Sequence, residues 1–197
     1  MTTWRTRAVA ALSVLTVAFS LSAQETPRPT CNRCSATYVS DAEIQEYFKR
    51  ATAAVVDQQV RALDVGRSNV AIGVVYRGRI RGNSNAAEHD QVSEVYHVID
   101  GSATLVTGPD IVDWKRRPAD NNAVKMLNGP GGDGTSIRNG VSHELKPGDV
   151  VVIPAGVGHW FTKIDDHIRY LMVRIDPDRV APLKDEAASQ ADLHGRK

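Results

Sequence analysis

From Val60 to Ile175 the chain is a succession of short runs rich in β-branched and aromatic residues: VRALDV, NVAIGVVYRG, EVYHVID, SATLVTG, DVVVIP, HWFTKI and HIRYLMVRI. Turn residues separate them at Gly66, Gly78, Gly101, Gly108, Pro147 to Asp149 and Asp165 to Asp166. Runs of this length, punctuated this way, cannot sustain long helices; they bury one face each in an antiparallel sandwich or barrel. The chain therefore reads as all-β, with the barrel over residues 60–175. Only the stretch between Gly108 and Gly140 breaks the pattern, with WKRRP and NGPGGDG inside it. A connection that long within a compact domain is a lid, a binding loop or a disordered excursion.

The part before the barrel divides in two. Arg5 and Arg7 precede an uncharged apolar run, Ala8 to Leu21, which ends on the small residues Ser22 and Ala23. This is the layout of a cleaved export signal over residues 1–23, and the run is shorter than the roughly 20 residues a membrane span needs, so no stable membrane anchor is expected. Export implies a periplasmic or extracellular protein. Residues 24–59 form a lead-in and a helix. The lead-in carries Cys31 and Cys34, the chain's two cysteines, which in an oxidising compartment read as a local disulfide. No βαβ pattern surrounds them, and Ser35 after Cys34 excludes a c-type haem attachment sequence. Ser40 and Glu43 make a capping box, and Ile44, Tyr47, Phe48, Ala51 and Val55 share one helical face. Residues 176–197 are polar and read as a loose tail or weak helix outside the core.

Charge narrows the partners little. Lys and Arg total 24 against 23 Asp and Glu, so no basic footprint for nucleic acid exists. The glycine-rich NGPGGDG lacks the strand-to-helix setting of a phosphate loop and reads as a flexible turn. Lys115, Arg116 and Arg117 read as a solvated basic run.

The chemistry concentrates on a few side chains. In EVYHVIDG, Glu94 and Tyr96 share one face of a strand and His97 takes the other. A carboxylate turned into a barrel needs a hydrogen-bonded, ionic or metal partner. GDVVVIPAGVGHWFTK places Gly148, Pro154, Gly156 and His159 at the spacing of the second motif of the cupin superfamily, G-x5-P-x-G-x2-H-x3-N, with Lys163 at its last position. The first cupin motif, G-x5-H-x-H-x3,4-E-x6-G, aligns with His89, Glu94 and Gly101; Ala87 stands at its first histidine, and the opening glycine position falls on Arg81, beside Gly82. The chain thus resembles a single-domain cupin with a degenerate first motif. The resemblance implies a jelly-roll β-barrel with the site in its mouth, and His89, Glu94 and His159 as metal ligands. Two imidazoles and a carboxylate with open positions suit Fe(II) and also accept Mn, Ni or Zn. Without a metal, His89 and Glu94 would instead form a hydrogen-bonded pair at the rim.

Glu94, Tyr96 and His143 are the candidates for proton transfer or substrate contact; His143 shares the strand face of Leu145. Tyr96 and Phe161 are expected to line the cavity, whereas Trp160 and His97 point outward and could mediate a homodimer. The functional expectation is an exported cupin that holds a mononuclear divalent transition metal and binds or transforms a small molecule. The alternative is a metal-free binding or dimerising module. Cupins span oxygenases, isomerases, lyases and non-enzymatic binders, so the resemblance alone selects no reaction.

Overall fold

The computed structural model describes residues 28–31, 34–52, 55–80 and 84–195; the expected export signal lies outside them, as do Arg81 and Gly82. Cys31 and Cys34 are joined as a disulfide in the lead-in. The helix α1 spans Asp41–Arg50, with the Ser40 hydroxyl accepting the Glu43 N–H at 3.2 Å. Only half of the capping box forms, because both oxygens of Glu43 are taken by Arg61 Nη2 at 2.9 and 3.0 Å. The helix also stops a turn sooner than its apolar spacing predicts. Ala51 N–H bonds back to Phe48, Thr52 and Val55 exchange backbone hydrogen bonds, and Val55 leaves the helical face to stand 52% exposed.

Thirteen strands follow among the described residues: β1 (Asp57–Asp64), β2 (Asn69–Gly78), β3 (Ala86–His89), β4 (Ser93–Gly101), β5 (Ala103–Gly108), β6 (Ile111–Val112), β7 (Lys115–Arg116), β8 (Gly131–Gly134), β9 (Ser136–Ile137), β10 (Val141–Leu145), β11 (Val150–Ile153), β12 (Gly158–Lys163) and β13 (His167–Asp176). One sheet has the order β1-β2-β13-β4-β11, the other β10-β5-β12-β3-β8-β7, and every pairing is antiparallel. Their inner faces close on Tyr96, Leu105, Phe161, Ile168, Tyr170 and Met172. The period-2 alternation of β13, from Ile168 through Asp176, sends every second side chain into this core. Between β4 and β5 the chain reverses at Gly101 (φ 78°), where a Cβ would collide with the His167 carbonyl. Glycine tolerates this conformation and this closeness together.

The connection over 109–140 is built structure. β6 pairs with β9, β7 and β8 extend the second sheet, and Val124–Asn128 forms one π-helical turn. The glycine run is therefore a strand rather than a flexible turn. A Cβ on Gly132 would run into the Trp114 indole, whose Nε1 donates to Glu88 at 2.9 Å, so glycine lets Trp114 lie flat against β8.

The C-terminal segment is tied down as well. Ala62 bridges Lys184, and a second helix, α2 (Glu186–Gly195), lies beside β1. Its Ser189 is fully buried; the hydroxyl donates to the Val60 carbonyl, and the Ser189 carbonyl accepts from Tyr47 at 3.1 Å. Tyr47, Phe48, Val60 and Val74 form a smaller core there, with Leu193 of α2 packed on it. Replacing Ser189 by Leu inserts extra carbons into this closed site and removes a hydrogen bond. Urea denaturation should show a loss of about 1–3 kcal/mol, the usual range for overpacking; an unchanged midpoint would mean that α2 does not hold the domain.

Candidate metal centre

His89 closes β3, and Glu94 and His159 each stand second in their strands, β4 and β12. β3 and β12 are neighbours, with His159 in register with Ala87, so the two imidazoles converge with centroids 5.2 Å apart. Glu94 arrives from the opposite sheet. The turn of the second motif is pinned to the first, because Gly156 N–H donates to the His89 carbonyl at 2.7 Å. One donor atom from each of the three side chains falls within 4.8 Å of the others, and all three residues are buried. The expectation of a His89–Glu94 pair at the rim is corrected here: the residues are 5% and 2% exposed, below the rim.

Glu94 is the hub. Its Oε1 lies 3.4 Å from His89 Nε2 and 3.5 Å from Arg174 Nε, and its Oε2 lies 3.8 Å from His159 Nε2 and accepts the Tyr96 hydroxyl at 2.7 Å. Burial pushes the Glu94 carboxyl up, but His89, His159 and Arg174 outweigh it and hold the group well below the usual carboxylate range. Burial pulls His159 down to about 4 against the attraction of Glu94, so its ring is neutral at pH 7. Nδ1 of His159 faces the Val157 carbonyl at 3.4 Å, which places the ring proton there and leaves the Nε2 lone pair aimed at Glu94. A carboxylate and a neutral, oriented imidazole are the forms in which these groups bind a divalent cation.

His89 has a different setting. Arg117 Nη1 approaches its Nδ1 at 3.3 Å, while Asn128 Nδ2 is placed 3.1 Å from its Nε2 and Asn128 Oδ1 is buried with no partner. A neutral imidazole cannot accept at both nitrogens. Exchanging the two ends of the amide, which hydrogen-bonding logic alone decides, resolves both problems: Asn128 Oδ1 then faces Nε2 and the orphan disappears. Ala87, in the lost ligand position, lines the same cavity. The chemistry of the donor set fits a divalent metal, with the Asn128 carbonyl available where Ala87 offers nothing.

Arg117 corrects the reading of a solvated basic run. Lys115 and Arg116 are exposed, but Arg117 is half-buried with its side chain turned inward, holding Asp133 at 2.6 and 2.8 Å and the Glu88 and Gly132 carbonyls. Tyr96 is 1% exposed, stacks with Phe161 and packs at a tilt on Tyr170; Tyr96 and Phe161 both line a cavity of about 530 Å³ over the centre. His143 does not reach it. It shares the face of Leu145 on β10, but its Nε2 bonds Thr107 at 3.1 Å, outside the cavity lining. Trp160 is half-buried and donates to the Ser84 backbone and hydroxyl, so its indole is engaged within the chain, while His97 is exposed. Asn128, Arg117 and Arg174 escaped the sequence reading. Arg174 was the most accessible of them, since the alternation of HIRYLMVRID puts it on the same inward face as Tyr170 and Met172.

Arg174 holds the centre together from behind. It is 1% exposed, donates to Gln59 at 2.9 Å and to Asp57, and faces Glu94. Arg174→Met leaves two carboxylates facing each other without their cation. The expected loss is about 3–5 kcal/mol of unfolding free energy, the cost of breaking a buried pair, read by chemical denaturation; a loss under 1 kcal/mol would show the pair to be dispensable.

The sequence model of the Cupin family matches residues 56–185. No curated protein matches the chain. Among solved structures, a Bacillus halodurans protein is 15% identical over 75% of this chain and 86% of its own, with a TM-score of 0.40. An RmlC-like cupin family protein with a double-stranded β-helix fold from Methanocaldococcus jannaschii is 13% identical over 63% of this chain and 84% of its own, with a TM-score of 0.37. The EutQ protein of Clostridium difficile is 16% identical over 62% of this chain and 68% of its own, with a TM-score of 0.36. With the family match covering the whole two-sheet barrel and both partial motifs lying inside it, the chain belongs to the cupin family.

Proposed function

We propose that this cupin binds one divalent transition metal through His89, Glu94 and His159, with the Asn128 carbonyl as a fourth protein donor, and that it binds or transforms a small molecule in the cavity above. The observation that carries this reading is the convergence of three buried donors from β3, β4 and β12 on one point. Such an ion, when bound, supplies Lewis acidity or, for iron, redox chemistry at its open positions. The chain's own residues do the rest. Arg174 and Tyr96 fix the two oxygens of Glu94, Val157 fixes the tautomer of His159, and the packed rings of Tyr96, Phe161 and Tyr170 keep the floor of the cavity largely apolar. Tyr96 is also the hydroxyl nearest the centre and the best-placed proton donor, with its own acidity suppressed by burial and by Glu94. We also place the mature protein outside the cytoplasm; the apolar run behind Arg5 and Arg7 and the Cys31–Cys34 disulfide support export.

Protein purified after export in metal-supplemented medium should carry close to one transition metal per chain by elemental analysis. His89→Ala and His159→Ala should lose it, and Asn128→Leu should weaken binding while Asn128→Asp, which keeps an oxygen donor there, restores it. Absence of metal, with no rebinding by the apo protein, would sink the proposal.

One observation favours a second reading, a metal-free receptacle. Arg117 donates toward His89 Nδ1, which keeps the proton on Nε2, the nitrogen a metal would need. Under that reading Asn128 is a hydrogen-bond acceptor for His89, and Asn128→Asp leaves metal uptake at zero.

A further inference from the structure

Three arginines whose side chains are withdrawn from solvent are paired with carboxylates, and a half-buried fourth that lines the cavity is not. Arg61 holds Glu43, Arg117 holds Asp133, and Arg174 holds Asp57 and faces Glu94. Arg77, on the inner wall of β2, is the exception. Its Nε donates to the Tyr170 hydroxyl at 3.2 Å and its guanidinium lies 5.0 Å over the Phe161 ring. Among the described residues no carboxylate, carbonyl or hydroxyl is within hydrogen-bonding distance of Nη1 or Nη2, and the side chain lines the cavity. Asp57, on the same wall, attracts Arg77 through its charge but spends its Oδ2 on Arg174, and it makes no hydrogen bond to Arg77. A guanidinium keeps its charge at every accessible pH, and one partly withdrawn from bulk water on a cavity wall gains from a counter-ion there. The free edge of the fork presents two parallel N–H donors, the shape that grips one carboxylate bidentately.

The position of Arg77 relative to the centre defines the rest of the ligand. Phe161 follows His159 by two residues on the same face of β12, so the ring under Arg77 stands about 7 Å along the strand from the His159 side chain. The wall between is apolar, made by Val75, Ile164, Tyr170 and Met172. We infer that Arg77 is the anchor for the carboxylate of a small organic acid whose body lies across Phe161 and whose far end reaches the His89–Glu94–His159 centre. The last clause rests on the proposed function; the anchoring does not. A phosphate dianion is disfavoured, because a single fork faces it while Asp57 and Glu94 stand in the same wall.

Equilibrium binding should be measured by calorimetry with acetate, benzoate and pyruvate, with acetamide and benzamide as neutral partners and with inorganic phosphate, on the full mature protein as purified and after chelation. At least one acid should bind ten times or more tightly than its amide, and Arg77→Met should abolish that preference while circular dichroism and metal content stay unchanged. Arg77→Lys, which keeps the charge and loses the fork, should fall between. Acids binding no better than their amides, or a preference that survives Arg77→Met, would overturn the anchor, and phosphate binding more tightly than every acid would overturn the carboxylate class. The acid-over-amide comparison needs no variant, so it decides the matter even if Arg77→Met fails to fold. Selectivity for acids in protein that never takes up metal would separate the anchor from the metal reading, sparing the first and defeating the second.

Discussion

The buried encounter of Arg174 with Glu94 and Asp57 is the constraint on which the rest of the site depends. A carboxylate 2% exposed between two sheets is stable only if something compensates its lost hydration. Arg174 provides that from β13, the strand that pairs with both β2 and β4 and so ties the first sheet together. Register then does the positioning: Arg174 is opposite Glu94 on β4 and opposite Ala71 on β2. A one-residue slip would turn Arg174 and Glu94 to opposite faces, so the ionic contact and the hydrophobic alternation select the same register. The ion pair thus specifies the sheet at the point where function needs it, whatever its net contribution to stability.

Much of the barrel was legible because its strands alternate. The run NVAIGVVYRG coincides with β2 and HIRYLMVRI with nearly all of β13, since period-2 burial between turn residues leaves few alternatives. The ligand triad was legible because the second motif fixes a turn and the first retains two of its donors. What could not be read was carried by residues without periodicity. β3 and β8 are AAEH and GGDG, whose composition argues against a strand; they pair because glycine lets Trp114 and the Glu88 carbonyl approach β8. Val55 continued a helical spacing that the backbone abandons at Ala51, a reminder that spacing does not end a helix but capping does. The packing of α2 was equally invisible, because its anchor is the small polar Ser189 rather than an apolar stripe.

The long connection changes how the loss at Ala87 is understood. From sequence, Ala87 is a missing ligand. In the fold, the segment from Trp114 to Gly134 delivers Arg117 to one nitrogen of His89 and Asn128 to the other. The segment that broke the strand pattern therefore surrounds the side chain next to the vacated position. Loops that carry function on a rigid scaffold are the general case, and here the loop becomes part of the scaffold through β7 and β8.

The two imidazoles consequently differ in readiness. His159 has its proton drawn to the Val157 carbonyl and its Nε2 lone pair free, so it needs no rearrangement to donate. His89 stands between a cationic donor at Nδ1 and an amide at Nε2, contacts that favour the proton on Nε2, so donating from Nε2 requires that proton to go to Nδ1 against Arg117. Arg117 can yield without becoming an orphan, since Asp133 and the carbonyls of Glu88 and Gly132 retain it. The proton position on His89 is thus a property of the loop as much as of the ring. A change in the loop that shifted Arg117 by a fraction of a hydrogen-bond length would alter the centre's capacity to hold a cation while leaving the three donors of the cupin motifs in place.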